Sequence, residues 1–131
     1  MPAVNGLAVF VAAIAMFGLG AVWYSPVLFV KPWAKAAGLE IDYANRGNFA
    51  AILGLSFALT CIMAANLAFF TAPLDLGGTI AAAVAAGLGW ATLSVWIISL
   101  FERRPLSYVF INGGYLTLGF VLMGVILGLW K

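Results

Sequence analysis

The sequence predicts an all-α fold, an antiparallel bundle of four transmembrane helices with a short interfacial helix in the first loop. Of its 131 residues, 66% are hydrophobic and 8% are charged, whereas an ordinary soluble domain has about 25% charged residues. A soluble protein this apolar would expose far larger apolar patches than monomers tolerate in water. Four nearly uncharged runs predict the four transmembrane helices, and the placement of the basic residues predicts their orientation. We expect a single integral membrane domain over residues 1–131.

The four apolar runs are expected to cross the bilayer as helices. At 1.5 Å per residue, runs of about 21 to 24 residues reach roughly 32–36 Å, which covers a hydrocarbon core of about 30 Å. The alternation of apolar and polar residues that marks membrane strands is absent, so a barrel is excluded. The predicted spans are residues 4–24, 48–70, 79–101 and 107–130.

The first span and first loop carry their own start and stop signals. Pro26 disfavours helical geometry at the residue before it, so the first span should end near Tyr24. Pro32 can begin a short helix that ends at Gly38, a left-handed residue. That helix is predicted to lie on the membrane surface as an anchor, and the alternative is a flap over an inner vestibule. The predicted anchor residues are Lys31, Trp33 and Lys35.

Short links separate the last three spans. The segment TAPLDLGG contains a proline, an aspartate and a glycine pair, which should stop one helix before Thr79 begins the next. Pro105 stands where the first turn of a helix tolerates a missing N–H. Because these links are short, the second, third and fourth spans are expected to run as antiparallel neighbours.

The basic residues predict the orientation of the chain. All of them except Lys131 lie in the first and third loops, which share one side of a four-span protein. The positive-inside rule makes that side cytoplasmic and puts both termini on the non-cytoplasmic side. The first span lacks a basic n-region and exceeds a typical h-region, so we expect an uncleaved span rather than a signal peptide.

A polar cluster is expected at the cytoplasmic ends of the first and fourth spans. Asn112, in the segment INGGY, lies about 7 Å inward of Ser107 at 1.5 Å per residue. Its carboxamide needs a partner at that depth, and Tyr24, Asn48 and Glu102 are candidates. The paired glycines beside it either let helices pack closely or loosen the helix so that carbonyls line a small cavity. The candidate ligand-binding residues are Trp23, Tyr24, Asn48, Asn112 and Tyr115.

Small residues recur at a spacing of three and four on the last three spans. Because lipid tails are as apolar as leucine, close contact along such seams brings membrane helices together. The seams are either internal to the bundle or intermolecular, and the strongest candidate for a dimerisation face is the pair at 124 and 128. The predicted helix-packing residues are Gly54, Ala58, Gly87, Ala91, Gly113, Gly124 and Gly128.

Neither catalytic nor cofactor-binding motifs are recognisable. With no histidine and one cysteine, a zinc or haem site of the usual ligands is not expected, and no metal or cofactor is predicted. All four acidic residues lie in loops or at span ends, whereas an ion-coupled carrier usually keeps one at membrane depth. Six basic residues against four acidic ones are too few for a nucleic-acid surface. The expected partners are membrane lipids and either a further copy of the chain or another membrane protein.

The segments GAVWYSPVLFVKPW, LFERRPL, INGGY and MGVILGLW resemble a bacterial family of small four-span membrane proteins catalogued as a domain of unknown function. A histidine often follows the tyrosine of INGGY in that pattern, whereas Leu116 stands here. The resemblance implies a four-span fold in a bacterial inner (plasma) membrane and no established activity.

Two functions are consistent with these observations. We expect a non-enzymatic membrane protein that acts through helix contacts, as an oligomer or as an accessory subunit of a larger membrane complex. The alternative is a small carrier or channel for a small-molecule or lipid-like ligand, which would use the cytoplasmic-side polar cluster.

Overall fold

The computed structural model of the chain describes residues 4–25, 28–38 and 49–131. Within these ranges all regular secondary structure is helical. Four of the described helices are long and apolar enough to cross a membrane. This confirms the predicted four-span, all-α fold. The helices are α1 (Gly6–Trp23), α2 (Val30–Ala37), α3 (Phe49–Thr71), α4 (Leu76–Glu102) and α5 (Leu106–Leu129).

Side-chain caps determine where two of the long helices begin. Asn5 accepts two backbone N–H hydrogen bonds at the start of α1, at 3.1 and 3.2 Å. Asp75 accepts one from the backbone N–H of Gly78, at 2.7 Å. With Asp75 as its N-cap, α4 begins at Leu76 rather than at the predicted Thr79, and the glycine pair lies in its first turn.

The short helix α2 has the predicted form. It begins at Val30, just before Pro32, and ends at Gly38, which has φ 71° and ψ 27°. Glycine adopts this left-handed conformation without a Cβ penalty. The alanines at positions 34, 36 and 37 are buried, whereas Lys31 and Lys35 are exposed, so α2 is amphipathic.

Helix α5 lies at the centre of the described structure. It packs against α1 on one side and against α4 on the other, and α2 also contacts it. Helix α3 packs mainly against α1 and contacts α4 and α5 much less. The prediction that α3 and α4 are close neighbours is therefore only weakly met, because a short link joins two helix ends without determining which faces pack.

Glycines let α4 and α5 approach each other closely. A Cβ at Gly124 would lie 2.5 Å from the Cβ of Ala83, and one at Gly87 would lie 2.8 Å from the Cβ of Phe120. Gly128 lies against α4 in the same way. Real Cβ atoms do not approach one another this closely, so a larger residue would push the helices apart. The seam through these glycines is internal to the chain, although positions 124 and 128 were the strongest candidates for a dimerisation face.

Two predicted packing residues of α3 do not lie on its buried side. Gly54 and Ala58 are exposed, and no atom of the described residues lies within 4 Å of a Cβ built on Gly54. Helix α3 instead packs on α1 through Phe57, whose ring meets Phe10 and Phe17 edge-on at centroid distances of 6.0 and 5.4 Å. A phenyl ring makes more van der Waals contacts than a glycine, so the side of α3 that carries Phe57 is the buried one.

The internal glycine seam predicts the effect of one added methyl group. Gly124→Ala should lower the free energy of unfolding by about 1–3 kcal/mol, because the new Cβ overlaps Ala83. The change is measured by denaturation in mixed micelles, followed by circular dichroism. Gly18→Ala is the control, since a Cβ there meets nothing within 4 Å, and it should be neutral or stabilise by up to about 1 kcal/mol. Equal effects of the two variants would contradict the close contact.

Candidate functional site

The predicted polar cluster forms at one end of the helix bundle. We call this the basic end, because Lys31, Lys35, Arg103 and Arg104 lie there. The Tyr24 hydroxyl, just after α1, donates a hydrogen bond to Oδ1 of Asn112 in α5, with 2.5 Å between the oxygens. Tyr24 is therefore the predicted partner that Asn112 uses.

Two other residues were predicted for this cluster, Glu102 and Asn48. Glu102 is exposed, and the described residues show no hydrogen bond between it and Asn112. Asn48, also predicted as a ligand-binding residue, lies outside the described residues.

Trp23 makes a second link between α1 and α5. Its indole Nε1 donates a hydrogen bond to the backbone carbonyl of Ile111, at 2.9 Å. The same ring lies over Gly114, where an added Cβ would stand 2.9 Å from Cζ2 of the indole. Two consecutive residues at the end of α1 thus hold α5 by hydrogen bonds, and glycine at position 114 lets the indole approach.

Aromatic rings fill the space around the Tyr24 hydroxyl. The Tyr24 ring meets Tyr115 edge-on at a centroid distance of 5.5 Å and Trp33 of α2 at 5.6 Å. Tyr115 in turn lies against Gly20, where a Cβ would be 3.1 Å from its ring. Edge-on contacts at these distances are favourable for aromatic pairs. Tyr24 therefore packs against Asn112 and Tyr115, two of the other residues predicted to bind a ligand.

Trp33 accordingly has a role that the anchor prediction did not include. It packs on Tyr24, whereas Lys31 and Lys35 beside it are exposed. Helix α2 is thus joined to the polar cluster through the Trp33 indole ring, and its lysines remain exposed.

Arg104 ties α2 to the rest of the bundle. Its Nη1 donates a hydrogen bond to the carbonyl of Ala37, the last residue of α2, and its guanidinium lies 5.6 Å from the centre of the Tyr108 ring. The last carbonyls of a helix carry negative partial charge, which attracts a cation. From the sequence Arg104 is recognisable only as a charge, because no local pattern indicates which carbonyl it reaches.

The glycine before Gly114 contacts α4 rather than opening a cavity. Helix α4 is π-helical over Ala85–Thr92. The Thr92 hydroxyl at its end lies 2.7 Å from the carbonyl of Gly87, 3.1 Å from that of Gly113 and 3.0 Å from the Thr117 hydroxyl. A Cβ at Gly113 would be 2.5 Å from the Thr92 methyl group. Helix α5 continues unbroken past both glycines. The glycine pair therefore allows close packing and does not loosen the helix.

A small cavity lies at the opposite end of the bundle. Its volume is about 90 Å³, and its lining includes Asn5, Thr71 and Trp130. Lys131 spans it by donating a hydrogen bond from Nζ to the carbonyl of Thr71. Ligand pockets usually enclose roughly 300–1,000 Å³, so this cavity suits a few water molecules rather than an organic ligand.

The described residues offer no obvious metal site. Over these ranges, no group of three His, Cys, Asp or Glu side chains could hold an ion. Cys61 is a free, half-buried thiol on α3.

A family model described as "Protein of unknown function (DUF1761)" matches residues 7–128. The chain therefore belongs to this family, in agreement with the resemblance seen in its sequence. No curated protein and no solved structure matches it.

The bond between Tyr24 and Asn112 predicts energetic coupling between the two residues. Tyr24→Phe should lower the free energy of unfolding by about 0.5–1.5 kcal/mol. Asn112→Leu should cost about 1–3 kcal/mol, because it leaves the half-buried Tyr24 hydroxyl without an acceptor. The double variant should cost less than the sum of the two. Denaturation in mixed micelles measures all three, and strictly additive losses would contradict the bond.

Proposed function

We propose that this member of the DUF1761 family is a non-enzymatic integral membrane protein that acts through helix contacts with another chain. It would work as an oligomer or as an accessory subunit of a larger membrane complex. The observation that supports this most directly is the exposed face of α3 that carries Leu59 and Asn66, which we call its outer face. Asn66 lies on that face among large apolar residues and is exposed. A carboxamide in this position is best satisfied by a group on a neighbouring transmembrane helix.

The packing of the polar cluster also favours this proposal over a carrier. The Tyr24 hydroxyl already bonds to Oδ1 of Asn112, and the rings of Tyr115 and Trp33 pack against the Tyr24 ring. A carrier or channel for a small-molecule or lipid-like ligand would require these two residues to separate and their neighbours to move. An extended contact surface requires no rearrangement of the chain.

We further propose that the protein lies in a bacterial inner (plasma) membrane with its basic end in the cytoplasm. Both termini would then lie on the non-cytoplasmic side. Among the described residues the cations cluster at the basic end, and Lys131 is the exception at the opposite end. Positive residues are retained on the cytoplasmic side of inner-membrane proteins.

Photo-cross-linking tests the proposed contact with another chain. A photoreactive residue at Leu59, on the outer face of α3, should cross-link to protein in the native membrane. Leu118 on α5 is the control, because its exposed fraction is similar, 47% against 52%, and it should cross-link to lipid. Native mass spectrometry of the full chain should then retain a stoichiometric protein partner. A monomer whose Leu59 position cross-links only to lipid would overturn the proposal.

Cysteine labelling tests the proposed orientation. In a Cys61→Ala background, Lys35→Cys should react with a membrane-impermeant thiol reagent only from the cytoplasmic side. Leu74→Cys, in the link between α3 and α4, should react only from the other side. Labelling of both positions from one compartment would contradict both the orientation and the four-span topology.

A further inference from the structure

The outer face of α3 carries a regular spacing that its contacts with α1 do not use. Residues on this face recur at alternating intervals of three and four, the spacing of the a and d positions in a coiled coil. All of them are exposed, and the central leucines and isoleucine are 52–63% exposed. The positions of this seam, which we call the α3 heptad seam, are Ile52, Leu55, Leu59, Ile62, Asn66 and Phe69.

Asn66 is the polar member of the seam and has an unused acceptor. Its Nδ2 donates a hydrogen bond to the carbonyl of Ile62 in the same helix, at 3.0 Å. Among the described residues, none donates a hydrogen bond to its Oδ1. Asn66 lies five residues before the end of α3, about 7.5 Å inside it. Since the 23 residues of α3 extend about 35 Å and the hydrocarbon core is about 30 Å thick, this oxygen lies within the apolar layer.

A second copy of this chain complements the seam. A carboxamide has both a positive donor and a negative acceptor, so an identical carboxamide can satisfy it in both directions. Two copies inserted in the same orientation and related by a two-fold axis along the membrane normal present their α3 helices in parallel. Each Asn66 then meets its equivalent at the same depth. The seam has no charged residue that would repel its own copy.

Head-to-tail association does not satisfy the same oxygen. Helix α4 exposes two large polar donors, the indoles of Trp90 and Trp96, which are 73% and 38% exposed, and Trp96 lies farther than Trp90 from the linked ends of α3 and α4. Trp90 lies 14 residues after Leu76, about 21 Å from the end where α3 and α4 are linked. It is therefore about 13 Å deeper than Asn66, and two copies in one bilayer cannot bring these groups together.

We infer that two copies of this protein associate through the α3 heptad seam as a parallel pair, with the two Asn66 carboxamides hydrogen-bonded to each other. A single asparagine at an a position is known to select register and oligomeric state. This inference rests on the proposed function, because it names the partner of the same exposed helix.

Disulfide trapping of the full chain in phosphatidylcholine bilayers tests the interface. In a Cys61→Ala background, Ile62→Cys should form a disulfide-linked dimer on mild oxidation. Ile98→Cys is the control on α4, where the exposed fraction is 58% against 57% for Ile62, and it should remain monomeric. Equal cross-linking of the two variants would overturn the inference.

Substitution of Asn66 tests the polar contact, with resonance energy transfer between labelled copies as the measure of dimerisation. Asn66→Leu should weaken dimerisation at least ten-fold, whereas Asn66→Gln, which keeps the carboxamide, should retain most of it. Ser94→Leu, a polar-to-apolar change at an exposed position of α4, should have no effect. Circular dichroism confirms that each variant is folded. Unchanged dimerisation of Asn66→Leu would overturn the inference.

The results also separate the inference from the function on which it rests. Cross-linking of position 59 to a different protein, without self-association, would overturn the homodimer and leave the proposed function in place. Cross-linking of that position to lipid alone would overturn both.

Discussion

The close contact of α5 with its two neighbours is the constraint on which the rest of the structure depends. In lipid, helices gain little by hiding apolar surface from their surroundings, so they associate where their backbones can approach and where polar groups pair. Helix α5 offers close approach and polar pairing to α1 on one side and to α4 on the other. Gly124 and Gly113 admit α4, while Gly119 admits the side chain of Met16 from α1. A central helix with smooth faces explains why α1 and α4 pack on it rather than on each other.

The cluster at the basic end applies the same constraint to polar groups. Trp23 and Tyr24 end α1 where its last turn meets α5, and both direct their hydrogen-bond donors to acceptors on that helix. Arg104 adds the end of α2 to the same assembly. These bonds pair groups that lipid could not satisfy, and aromatic rings pack around them. The cluster therefore holds helices together.

Asn66 is the residue that the sequence analysis overlooked. Small residues occur on more than one face of α3, so they do not identify its packed side. The available signal was a lone carboxamide in an otherwise apolar run, which stands out because lipid cannot satisfy it. Its significance depends on exposure, since an asparagine of this kind on the buried face would have paired with α1. The aromatic contacts of Phe57 with Phe10 and Phe17 identify the packed side of α3, and Asn66 is exposed.

The sequence by itself determined the spans, the short helix α2 and its end at Gly38, because hydropathy, proline geometry and glycine conformation act over a few neighbouring residues. It also indicated that Asn112 would need a nearby partner. Only the tertiary structure decided that Tyr24 is that partner, that Gly124 lies inside the chain and that α3 keeps one face uncovered. Those outcomes depend on which helix faces meet, and the meeting of faces is set by contacts between residues far apart in the chain.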